Sequence, residues 1–161
     1  MEKSKVAVLF CDSYGEDKVY SCIKSGIELL DGLDKFISKE EKVLVKPNFL
    51  SPSEADSSVV THPSVIKAML RLLSEQGYGQ VKYGDSPGHG SCKAAAAKIG
   101  LNTENTYGAR LADMNEEVKV AFPEGKTCKD FYYTKEVVEA DAIIGLCKMK
   151  THALERVTGA V

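Results

Sequence analysis

Val43-Leu44-Val45-Lys46-Pro47-Asn48 is a short apolar run that ends abruptly in a cation, a proline and an amide. Two later stretches repeat the pattern. Val81-Lys82-Tyr83 runs into Gly84-Asp85-Ser86-Pro87-Gly88, and Ala142-Ile143-Ile144-Gly145-Leu146-Cys147 into Lys148-Met149-Lys150-Thr151-His152. Short apolar runs cut off by glycine, proline or charge read as buried strands leaving a sheet. Pro47 ends the first because proline cannot donate to a central ladder. In an open parallel sheet, ligands bind outside the carboxyl ends of the strands. As neighbours in one sheet, these three strands would deliver three lysines, an aspartate and a histidine to one crevice.

The segments between them carry helical periodicity. Val19, Ile23, Ile27 and Leu30 share one helical face, with Gly32 as a stop. Thr61-His62-Pro63 opens the strongest helix, because proline suits a first helical position and Val65, Ile66, Met69, Leu70, Leu72 and Leu73 supply an apolar face. Ser91 to Lys98 is an alanine-rich helix stopped by Gly100, and Lys135 to Ala140 a brief one. Val6 to Phe10 predicts a first strand. Val118 to Phe122 and Phe131 to Tyr133 predict a hairpin around Pro123-Glu124-Gly125. Alternating strands and helices predict an α/β fold: a mostly parallel, Rossmann-like sheet with helices on both faces and a short inserted β-hairpin. Residues 1–161 read as one such domain. Its last stretch, Val157-Thr158-Gly159-Ala160-Val161, adds no closing element and predicts the amino-terminal part of a longer protein.

Composition bounds the function. The chain of 161 residues is 43 % hydrophobic and 27 % charged, as expected of a globular domain. Its net charge of -2 gives no global basic field toward nucleic acid or acidic lipid. No apolar stretch approaches the length of a membrane span. The five cysteines (Cys11, Cys22, Cys92, Cys128 and Cys147) contain no Cys-x-x-Cys pair, which predicts reduced thiols and a cytoplasmic location.

The strand-end clusters carry the chemistry. In an extended segment Lys148, Lys150 and His152 point one way, so the two lysines, with Lys46, would hold a carboxylate or phosphate. A lysine crowded by other cations also has its charged form disfavoured and can act as a base. Asp85 or His152 would handle protons. The Gly84 to Gly90 junction, with Ser86, Gly88 and Ser91, would cradle an anion on backbone amides, or serve only as a turn and helix cap. It matches neither G-x-G-x-x-G nor the Gly-Lys-Ser/Thr ending of a P-loop. Asn48 completes the rim, or makes an Asx turn. The polar loop Ser51 to Ser58 is the expected mobile flap, and His62 reads as a helix cap. Two rival readings stand beside the anion site. One is a metal-dependent enzyme drawing on His62, Asp85, His89 and His152; the other is a non-enzymatic domain whose lysines dock an acidic partner.

With these residues laid out, the chain resembles the uncharacterised family called domain of unknown function 362. The stretches that carry the likeness are Val43 to Asn48, Thr61-His62-Pro63, Gly84 to Gly88, Asn115-Glu116-Glu117, Lys148 to His152 and Thr158 to Val161. The resemblance implies that the Lys46, Asp85 and Lys148–His152 clusters belong to one site. It also implies a longer protein, in which many members carry a carboxy-terminal ferredoxin-like module with a 4Fe-4S cluster. No residue of this chain is assigned to a cluster, and the resemblance names no substrate.

Overall fold

The computed structural model describes residues 4–154 and 156–158. Its centre is a four-stranded parallel sheet with the strand order β3-β2-β1-β6. These strands are β1 (Val43–Pro47), β2 (Val81–Tyr83), β3 (Arg110–Leu111) and β6 (Ala142–Leu146). Val43, Leu44 and Val45 are all buried, so both faces of the central strand are covered. Successive strands step outward from β1 to β3, and the chain then returns to the opposite side of β1 to lay down β6. The order of growth therefore reverses between β1 and β6, which is where α/β sheets open a binding crevice.

Helix α1 (Glu16–Leu29) packs along α2 (Pro63–Glu75). Residues of α2 spaced at helical periodicity, including Ile66, Met69, Leu70 and Leu73, enter the core. Pro63 is its first residue, and the His62 side chain accepts a hydrogen bond from the Ser64 amide. The helix ends where Gly77 turns to a φ of 84°, letting the Tyr78 amide reach the Leu73 carbonyl. That six-to-one bond satisfies an otherwise orphaned carbonyl. Helix α3 (Cys92–Lys98) is capped by Ser91, whose hydroxyl accepts from the Ala94 amide. Helix α4 (Lys135–Glu139) sends Glu136 onto Lys82 of β2 at 2.6 Å.

The expected hairpin forms from β4 (Glu117–Ala121) and β5 (Asp130–Thr134), antiparallel and largely exposed. A second hairpin, β7 (Lys150–His152) with β8 (Arg156–Thr158), was not predicted. It turns Lys150 to His152 from a simple strand tail into one arm of a separate two-stranded sheet.

Two sequence expectations fail. Val6 to Phe10 is no strand: it has no ladder partner among the described residues, and Val6, Val8 and Phe10 are 80 %, 89 % and 89 % exposed. A strand needs a neighbour as well as a suitable side-chain pattern, and this segment instead crosses the surface of α1. The run Ala142 to Leu146 does form a strand but lies at the edge of the sheet, leaving Ile143 48 % exposed. A continuous apolar run predicted burial on both faces, and the position at the margin overrode it.

Candidate functional site

Parallel alignment puts the carboxyl ends of β1, β2 and β6 on a single rim. Three groups are clasped there. Asp85, two residues past β2 and buried, takes the Lys46 ammonium on one oxygen at 2.6 Å and the Phe49 amide on the other at 2.8 Å. One carboxylate therefore joins the end of β2 to the end of β1 twice. The Gly84 position is crowded, since an added Cβ would lie 2.9 Å from Cys92 Sγ and 3.2 Å from Ala112 and Met114. Only glycine fits there without displacing those side chains.

The loop between β1 and α2 is closed at its base. Asn48 and Thr61 exchange backbone hydrogen bonds with one another's backbone or hydroxyl, and the Asn48 side-chain amide donates to the Val59 carbonyl at 2.7 Å. The Thr61 hydroxyl donates on to the Leu146 carbonyl at 2.6 Å. This couples the loop to the end of β6. Farther along, Gly88 and His89 lie against Leu50, with the His89 amide donating to its carbonyl. Ser86 is exposed on the same rim.

Beside this clasp lies a cleft of about 230 Å³, lined by Tyr14, Ala55, Asp56, Ser57, His62 and Lys148. The Tyr14 and His62 rings stack with centroids 4.0 Å apart. Lys148, two residues beyond β6, donates to the Tyr14 hydroxyl at 3.3 Å. The Ser57 hydroxyl is buried without a hydrogen-bond partner among the described residues. Since the Ser64 amide donates to Nδ1 of His62, the neutral ring carries its proton on Nε2. Burial lowers His62 below its ordinary 6.5; Asp56 opposes this, and Lys148 pushes the same way as burial. The neutral, Nε2-protonated ring is thus the form this environment favours.

That shift has a stability consequence. The unfolded chain protonates its histidine near pH 6.5, whereas folded His62 does so only at lower pH. Between those values the unfolded state binds more protons, so stability falls as pH drops through that window. His62→Gln removes this contribution. The melting temperature of the wild type relative to the variant should therefore decline from about pH 7 to about pH 5; a constant difference contradicts the linkage.

Of the sequence-predicted residues, Lys46 and Asp85 meet directly and Lys148 enters the Tyr14–His62 cleft. Lys150 donates to Thr158 across its own hairpin at 3.4 Å, and Nδ1 of His152 accepts from the Leu154 amide. Sequence reasoning missed Tyr14, and it read Asp56 and Ser57 only as part of the Ser51–Ser58 flap without singling them out. Tyr14 meets Lys148 across 134 residues of chain, a distance at which no local pattern carries a signal. Among the described residues no three His, Cys, Asp or Glu side chains cluster as metal ligands. Among the described residues the cysteines do not gather into a set that fits an iron–sulfur cluster. No helix of the described residues is long and apolar enough to cross a membrane.

A Rossmann-like α/β domain with its polar groups gathered at the carboxyl rim is the class that fold and site define. The chain belongs to the DUF362 family, whose model, described as a domain of unknown function, matches residues 43–161. It is 30 % identical over 154 residues to the "Thylakoid-associated protein sll1697" of Synechocystis sp.. That alignment covers 92 % of this chain and 46 % of the relative, so the chain spans less than half of its relative's length. No solved structure matches.

Proposed function

We propose that this chain is an anion-binding α/β domain, and that its ligand is a small phosphate or carboxylate seated in the Tyr14–His62–Lys148 cleft. One observation carries the reading: Lys148, Tyr14, Ser57 and His62 offer hydrogen-bond donors to the cleft against the single carboxylate of Asp56. The start of α2 adds the positive end of its helix dipole. The cleft is smaller than the roughly 300 Å³ from which pockets for larger ligands begin, which suits a compact anion. Lys46 and Asp85 hold the shape of the neighbouring rim. Lys150 and His152 follow Lys148 on their own hairpin, outside the cleft lining, and a compact anion in the cleft does not require them. An iron–sulfur module working with this domain would have to be supplied from outside these residues.

Titration of the whole chain with inorganic phosphate and with acetate, followed by thermal shift and calorimetry, tests the reading. A charge-assisted hydrogen bond contributes about 1.5–3 kcal/mol, so Lys148→Ala should weaken binding by roughly 10–100-fold. Its melting temperature without ligand should stay close to wild type, because Lys148 lies at the surface. Binding should also weaken as ionic strength rises. Unchanged affinity in Lys148→Ala would falsify the proposal, as would a wild-type chain that binds neither anion.

A further inference from the structure

The segment before α1 lies along that helix in reverse direction. Lys5 pairs with Asp31 at 2.6 Å, Leu9 rests 3.2 Å from where a Cβ on Gly26 would lie, and Asp12 pairs with Lys18. Midway along this antiparallel track, Cys11 comes against Cys22. The Cys22 thiol reaches the Phe10 carbonyl at 3.8 Å, and Cys11 bonds to the Ser13 carbonyl at 3.3 Å. Both thiols line one groove that continues to Tyr14. Both are unbridged, with Cys11 exposed and Cys22 half-buried.

We propose that Cys11 and Cys22 are a redox modification site, closing to an intramolecular disulfide by exchange with a low-molecular-weight disulfide. The Cys11 thiolate attacks one sulfur of R–S–S–R, forming a mixed disulfide and expelling one R–S⁻. The Cys22 thiolate then attacks the Cys11 sulfur, forming the Cys11–Cys22 bond and expelling the second R–S⁻. The two protons lost by the cysteines leave with the two R–SH products, so the protein is oxidised by two electrons and the small disulfide is reduced by two. Exposure makes Cys11 the attacking group. Burial, followed by the neighbouring Cys11, raises Cys22, which makes it the slower, resolving thiol. The arm already lies in register, so the bond would fasten it to α1 and hold Tyr14 beside His62. This goes beyond the anion reading and stands without it.

The test uses the full chain carrying Cys128→Ser and Cys147→Ser, which removes the other exposed thiols and leaves Cys92 buried. Glutathione disulfide is the oxidant at mildly alkaline pH. The expected product is a monomer that has lost two hydrogens, yields a linked Cys11–Cys22 peptide on digestion and reverts with dithiothreitol. Its melting temperature should rise by about 5 °C, and exchange of amides 4–15 should slow by about tenfold. A stable glutathione adduct on Cys11, a disulfide-linked dimer or two persistent free thiols would each overturn the proposal. Cys22→Ser supplies the control, since it should stop at the glutathione adduct.

Discussion

Phe49→Ala should lower the unfolding free energy by about 3–5 kcal/mol, the range for removing a large aromatic from a close-packed interior. Phe49 follows β1 and is 0 % exposed, and it belongs to the same buried cluster as Leu44, Ile66 and Leu73. Deleting the ring leaves a void that a close-packed core cannot fill without side chains leaving their rotamers. Domains of this kind have a total stability of about 5–15 kcal/mol, so the variant retains a narrow margin. At roughly 2–4 °C per kcal/mol for a chain of this length, its melting temperature should drop by about 10 °C. Urea unfolding should show an earlier midpoint with an unchanged slope. A loss below about 1 kcal/mol would contradict the packing described here.

Thr61→Val should be the most damaging change of similar volume at the rim. Thr61 is buried, accepts from the Asn48 amide at 2.9 Å and donates to the Leu146 carbonyl at 2.6 Å. Valine fills the same space and satisfies neither group. Each stranded polar group costs about 1–3 kcal/mol, giving roughly 2–6 kcal/mol for the pair. Thr61→Ser keeps the hydroxyl and should recover most of that. Hydrogen exchange locates the effect: in Thr61→Val the Asn48 amide and the β6 backbone should exchange faster, while β2 holds. Equal stability of the valine and serine variants would show that the hydroxyl does not join the loop to β6.

The sequence pattern carried the central sheet and its helices well, and the physics explains why. Val43 to Val45 alternate on a strand buried on both faces, and α2 advertises itself through Pro63, a continuous apolar face and Gly77. The rim was legible because Lys46 stands at the end of β1 while Asp85 and Lys148 follow β2 and β6, and parallel strands must end together. What escaped depends on partners remote in sequence. Val6 to Phe10 has strand-like side chains and no ladder to join among the described residues. Ile143 looks like a core residue until the sheet order sets it at the margin. The Tyr14–His62 stack and the buried Ser57 hydroxyl arise only when three separate segments converge. Strand β3 has two residues, too few to show any period.

The reversal of strand order also sets a timetable. β1 meets β2 through a single helix, yet it meets β6 only after a separation of 99 residues, pinned where the Lys42 amide donates to Asp141 at 2.8 Å. Closing so long a loop costs entropy before any contact repays it, and such pairings slow folding. Lys148 comes with β6, so the Tyr14–His62 stack would gain its cation only once that long-range pairing has formed. A half-built molecule would hold its hydrophobic nucleus and still lack a complete cleft, so capture of the proposed anion would report finished folding.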